Sequence, residues 1–129
     1  MTQRPTVLVI DDHEDSRIIL RTLLTHSGFD VVEAGGGREG IFHGRAAVPA
    51  VVLMELRMRE LSGFETAMLL RLDRAFANVP MIAISGYPLE AEAAAAGFAA
   101  FLRKPFGMDA LLRELRRVMP PTEPPMLLA

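Results

Sequence analysis

Four short apolar runs in this chain close on polar residues that could do chemistry together. Asp11 and Asp12 follow Thr6 to Ile10, Glu55 follows Ala50 to Met54, Ser85 follows Pro80 to Ile84, and Lys104 lies just past Ala99 to Leu102. If a sheet gathers these run ends at one edge, three carboxylates, a hydroxyl and an ammonium share a small pocket. Three carboxylates repel one another unless a cation sits among them. Oxygen ligands with room for water suit Mg²⁺, held at modest affinity because that ion keeps several of its waters. Lys104 supplies a fixed positive charge for an anion bound there, and Ser85 supplies a donor. Alone, Asp11-Asp12 reads as an ordinary strand-end turn. Ser85 and Lys104-Pro105 at the matching run ends make it part of a pocket.

The elements that must position these residues alternate along the chain. The strand-like runs are residues 6–10, 29–34, 50–54, 80–84 and 99–102. Between and after them lie helical patterns over 14–27, 38–45, 64 to about 76, 89–96 and 107–119. The first has Ile18, Ile19, Leu20, Leu23 and Leu24 at helical spacing, with Gly28 as its C-cap. The alanine-rich fourth stops at Gly97, and the fifth puts Leu111, Leu112, Leu115 and Val118 on one face. Three strands are continuous apolar runs, as strands covered by helices on both faces are. The pattern predicts an α/β fold, a doubly wound five-stranded parallel sheet of the flavodoxin-like type, (βα)5, with strand order 2-1-3-4-5. Ligands of such sheets sit outside the carboxyl ends of the strands.

Bulk properties narrow the function classes. The 129 residues suit one domain, expected over 1–119, with a proline-rich tail or linker stub over 120–129. Half the residues are hydrophobic and the formal net charge is −2, so no broad basic surface invites nucleic acid or an anionic membrane. With no cysteine, disulfides, thiolate catalysis and zinc–thiolate sites are excluded. Met1 to Pro5 lacks the apolar run of a signal peptide, and the apolar runs are too short to span a bilayer. Cytoplasm is the expected compartment. Gly35-Gly36-Gly37 lacks the Gly-Lys-Ser/Thr of a phosphate loop and reads as a flexible turn. His13, His26 and His43 show no ligand spacing; His13 neighbours the pocket but is read as solvated or packing.

Read together, the acidic pair, the segment Val51 to Gly63, Ser85 and Lys104-Pro105-Phe106 resemble the receiver domain of two-component response regulators, over the chain up to Met119. The resemblance implies a signalling module partnered by a histidine kinase or another signalling protein, and no catalytic residues of its own. It implies a metal site of Asp11, Asp12, Glu55 and the backbone carbonyl of Arg57. It makes Ser85, Phe101 and Lys104 the switch residues, and the fourth helix, fifth strand and fifth helix a face for homodimerisation.

Three positions depart from the family pattern. Glu55 stands where the family carries its phosphoacceptor aspartate. The extra methylene displaces the carboxylate by roughly 1.5 Å, and misplacement on that scale can cost about a hundredfold in an in-line reaction. Glu55 is also a partial phosphoryl mimic, with one charge against about −1.5 to −2 for a phosphoryl group. Arg59 replaces the usual proline, which frees a backbone torsion and adds a charge near the pocket. The stretch from Ser85 to Gly97 is short by roughly one helical turn. Three functions follow as alternatives: an interaction module that no longer takes phosphate; an ordinary phosphoacceptor with an engineered Asp-to-Glu change; or a Mg²⁺-dependent phosphatase-like enzyme. The last lacks the aspartate nucleophile it needs. Phe101 has no hydroxyl to keep in water, so its ring is expected largely buried, with Glu55 reaching Lys104 or Ser85.

Overall fold

A computed structural model describes residues 4–119. The elements are β1 (Thr6–Ile10), α1 (Glu14–His26), β2 (Asp30–Ala34), α2 (Gly37–Ala46), β3 (Val51–Glu55), α3 (Gly63–Arg71), β4 (Met81–Ser85), α4 (Glu90–Ala95), β5 (Ala100–Arg103) and α5 (Met108–Val118), with a 3-10 turn at Arg74–Phe76. All strand pairings are parallel and the order is β2-β1-β3-β4-β5, the expected doubly wound sheet. The tail expected beyond residue 119 lies outside the described residues.

The continuous apolar runs occupy the three inner positions of the sheet. β3 and β4 are buried throughout, and β1 at all but its first residue, whereas the edge strands β2 and β5 are only partly covered. Alternate residues of these inner strands feed opposite faces. Leu8, Ile10, Val52, Met54, Met81 and Ala83 pack against Ala67, Leu70, Phe76, Ala93 and Phe98, under α3, the 3-10 turn and α4. Val7, Val9, Val51, Leu53, Ile82 and Ile84 pack against Leu20 and Leu24 of α1 and Leu111 and Leu115 of α5. Both faces being sealed, the open ground left to polar chemistry is the carboxyl edge.

Gly28 and Gly97 adopt φ of +98° and +91° directly after α1 and α4, the left-handed stop for which glycine has least cost. The expected helix from Phe64 to about Phe76 is two pieces. Asp73 turns its carboxylate onto the Ala75 amide at 2.9 Å, a local bond that competes with helix continuation. The Arg71 guanidinium then donates to the carbonyls of Phe76 and Val79, holding the break closed. α3 itself starts with a capping box: Ser62 accepts from the Glu65 amide, and the Glu65 carboxylate accepts from the Ser62 amide. Gly63 sits there because a Cβ would meet the Glu55 carbonyl at 2.5 Å. This packing fixes the loop that follows β3. α4 has six residues.

Candidate functional site: an acidic pocket at the carboxyl edge

Asp11, Glu55 and Ser85 are the buried polar ends of the three inner strands, together with Thr66 the buried polar side chains among the described residues. Asp11 follows β1, Glu55 ends β3 and Ser85 ends β4. Lys104 follows β5, and its backbone N–H donates to the Ser85 carbonyl at 2.8 Å, which extends the β4–β5 ladder to the rim. The Lys104–Pro105 peptide bond is cis.

The charges of this pocket are joined to one another. The Lys104 ammonium lies 2.6 Å from Glu55 Oε1 and 3.4 Å from Asp11 Oδ2. Burial alone would lower the lysine pKa. The hydrogen bond to Glu55 and the charge of Asp11 more than offset that, so Lys104 titrates above its ordinary value. The second Glu55 oxygen accepts from the Arg57 amide at 3.2 Å. Of the two contacts expected for Glu55, it therefore makes the one to Lys104. The Ser85 hydroxyl accepts instead from the Tyr87 amide at 3.0 Å. Phe101 is partly buried, packed against the core beneath α4. Phe101 has no hydroxyl to keep in water, but it stands on the edge strand β5, which leaves part of the residue uncovered.

Arg59 is engaged in a way a proline at this position could not be. Its backbone N–H donates to Asp12 Oδ2 at 3.1 Å, a donor that proline lacks. Its guanidinium is 3.6 Å from the same oxygen and largely exposed. The other oxygen of Asp12, Oδ1, is buried without a hydrogen-bond partner. His13, read from sequence as solvated or packing, belongs to the rim: its Nδ1 is 3.4 Å from Asp11 Oδ1 and 3.2 Å from Asp12 Oδ1. Its backbone N–H donates to Asp11 Oδ1 at 2.9 Å. The sequence signal was its place directly after the acidic pair. Tyr87 was also missed; the Arg57 guanidinium stacks over its ring, 4.2 Å from the centroid.

The fold and the site together define a doubly wound α/β domain with an acid–lysine pocket at the carboxyl edge of its sheet. The chain belongs to the response regulator receiver domain family, whose model matches residues 7–116. It is similar to the polar-differentiation response regulator DivK of Brucella ovis, at 24% identity over 86% of this chain and 93% of the relative. The chemotaxis response regulator CheY4 of Vibrio cholerae is 27% identical, with a TM-score of 0.86 over 91% of this chain and all of that one. The receiver domain of the sensor histidine kinase PA1611 of Pseudomonas aeruginosa shares the fold at 23% identity and a TM-score of 0.83, covering 90% of this chain and 98% of its own. Its crystal structure has a magnesium ion coordinated in the active site cleft. The chain is thus a receiver domain of the two-component type, and no helix among the described residues is long and apolar enough to cross a membrane.

Proposed function

We propose that this receiver works as a cytoplasmic protein-interaction module that does not take a phosphoryl group as written. The observation that carries this reading is the 2.6 Å contact between Lys104 Nζ and Glu55 Oε1, with Glu55 Oε2 held by the Arg57 amide. Both oxygens of the residue at the acceptor position are committed, and the positive charge that would meet an incoming phosphoryl group is already spent on a carboxylate. Its partner is a histidine kinase or another signalling protein, and its output is binding rather than turnover. Self-association through α4, β5 and α5 belongs to the same reading.

Asp12 Oδ1, which makes no hydrogen bond and meets only the His13 ring at 3.2 Å, fits a divalent cation at the rim, since a buried carboxylate oxygen so poorly satisfied is costly. Asp11, Asp12, Glu55 and the Arg57 carbonyl would hold Mg²⁺, which supplies neutralisation of the clustered carboxylates. Lys104 and Arg59 already neutralise part of that charge, so the affinity is modest.

Incubation with acetyl phosphate and Mg²⁺ followed by intact-mass analysis tests the reading. The chain as written gives no phosphate adduct, and Glu55→Asp gives one. An adduct mapped to Glu55 overturns the reading. The second alternative, an ordinary phosphoacceptor carrying an engineered Asp-to-Glu change, is favoured over natural divergence only if the Glu55→Asp protein also exchanges phosphate with a kinase at a normal rate.

A further inference from the structure

We propose that the outer face of α2 and α3 docks an acidic amphipathic helix of a partner protein. This surface adds to the partner contacts proposed above and does not depend on whether Glu55 takes phosphate.

Both helices bury one side on the sheet and still carry apolar residues on the other. Gly40, Gly44, Thr66, Ala67 and Leu70 are buried on the inner side. Leu72 is 76% exposed, Phe42 70% and Met68 63%, the three most exposed large hydrophobic residues among those described. Single exposed apolar residues are ordinary. These three share one surface. A Cβ added to Gly37 would run into Thr66, and one added to Gly44 into the Phe76 ring. Those close approaches set α2 and α3 side by side, running in the same direction. Arg45 of α2 then reaches Asp73, beside Leu72, at 3.8 Å. Phe42 lies three residues before Arg45 and Met68 four before Leu72, spacings that keep each pair on one side of its helix. Helices between parallel strands run back from the carboxyl edge of the sheet. Phe42 and Leu72, in the later parts of that run, therefore lie away from the acidic pocket.

Charge selects the partner. The acids of this face are already engaged. Glu39 accepts from the Gly35 amide at 2.7 Å and lies 3.3 Å from His43. Glu65 closes its capping box, and Asp73 holds the Ala75 amide. The arginines are less committed. Arg38 and Arg74 are exposed with no ion pair among the described residues, and the Arg45 contact is long. Arg38 and Arg45 flank Phe42 at i−4 and i+3, on its side of the helix. Apolar anchors set among such guanidinium groups suit a helix with apolar side chains flanked by carboxylates. A second copy would bring the same arginines against one another. An anionic bilayer would meet Glu39, Glu65 and Asp73 beside them.

Fluorescence anisotropy tests the proposal, using the full chain and a labelled helical peptide of about 18 residues. The peptide carries leucines at i, i+3, i+4 and i+7 flanked by glutamates, and a twin carries lysines in their place. Expected is saturable binding of the acidic peptide with Kd below about 1 mM. It should bind at least about tenfold tighter than its twin and weaken as salt rises. Phe42→Ser and Leu72→Ser should each weaken it about tenfold. Arg38→Glu combined with Arg74→Glu should do the same at low salt. Ile19→Ser, at an exposed apolar residue of α1 on the other side of the sheet, should change it by less than about twofold. All these side chains are exposed, so urea unfolding should be unchanged and loss of binding is kept apart from loss of fold. Peptide-induced amide shifts should centre on residues 38–46 and 68–74. No saturable binding, equal binding of the twin, or shifts centred on α1 or on α4, β5 and α5 would overturn the proposal. So would a dimer in sedimentation that Leu72→Ser dissolves, which assigns the face to a second copy. Binding to phosphatidylglycerol vesicles that Phe42→Ser abolishes, without peptide binding, would overturn it in favour of a membrane. None of these outcomes touches the phosphate reading, which the acetyl phosphate adduct decides.

Discussion

The charged pocket and the pair Ser85 and Phe101 beside it are organised differently. In the pocket, Asp11, Glu55 and Lys104 are tied into one ion-paired cluster beneath the rim. At the end of the adjacent strand, Ser85 is fully buried yet turned to its own loop through the Tyr87 amide, and Phe101 is only partly covered. The carboxylate of Glu55 therefore satisfies the lysine without drawing the serine. A ligand shifts a two-state element only by the difference in its interactions with the two states. A side chain that bonds Lys104 and leaves Ser85 alone supplies such a difference at the lysine and none at the serine. The lysine is paired, and Ser85 keeps its bond to the Tyr87 amide.

The largest effect expected from breaking this arrangement comes from Lys104. Lys104→Met leaves Asp11 and Glu55 facing each other, each about nine-tenths buried or more. Removing one partner of a buried pair costs about 3–5 kcal/mol. The 28% exposure of the lysine side chain places the loss near the lower end of that range, about 3 kcal/mol, read from urea unfolding at neutral pH. The pH dependence has a definite sign. Lys104 titrates above its ordinary 10.5 in the folded chain, so its stabilisation is complete below pH 10.5 and is lost as pH rises through the folded value. The gap between wild type and Lys104→Met should narrow above pH 10.5. A gap that stays constant there would mean the lysine stabilises by packing and not by charge.

A smaller effect is expected at Ser85. Ser85→Ala strips the Tyr87 amide of its acceptor for about 1 kcal/mol, since the exposed Tyr87 loop admits water in its place. The informative quantity is its coupling to Lys104→Met. If pocket and switch are separate, the double variant is additive within about 0.5 kcal/mol. Coupling well beyond that would merge the two regions and restore Glu55 as an activating substitution.

How much of this was legible beforehand differs by region for a physical reason. The three apolar runs announced the inner strands because burial on both faces leaves no room for alternation. The strand ends announced Asp11, Glu55, Ser85 and Lys104 because a parallel sheet delivers all its carboxyl ends to one edge. What stayed hidden depended on where side chains point. Nothing in the run of residues says that Asp73 will spend its carboxylate on Ala75 and cut α3 short, or that Ser85 will choose the Tyr87 amide over Glu55. Arg59 was visible as a missing proline and an added charge. Its amide bond to Asp12 emerges only when the loop is brought across 47 residues of sequence. His13 had no periodic partner, since the two carboxylates it meets are adjacent in sequence and reach it by the turn into α1.

The smallest effect lies at a side-chain contact that crosses between the two regions. Arg57 belongs to the pocket through its amide, which donates to Glu55 Oε2, and its guanidinium lies over the ring of Tyr87, whose own amide donates to Ser85. Glu55, Arg57, Tyr87 and Ser85 thus form a continuous chain in which the weak link is the stacking. A cation over an exposed ring is worth about 0.5–1 kcal/mol, and Tyr87 is 52% exposed. A double-mutant cycle of Arg57→Ala and Tyr87→Leu should therefore return about 0.5 kcal/mol of coupling, near the lower end of that range. Repeating the cycle in a Glu55→Ala background asks whether the link carries anything. With the carboxylate gone, the Arg57 amide loses its anchor and the guanidinium loses a fixed position over the ring. Coupling that collapses in that background would mean that the pocket does reach Tyr87, and through it Ser85, by this one route. Coupling that survives unchanged would leave the stack as a local surface contact and keep the two regions independent.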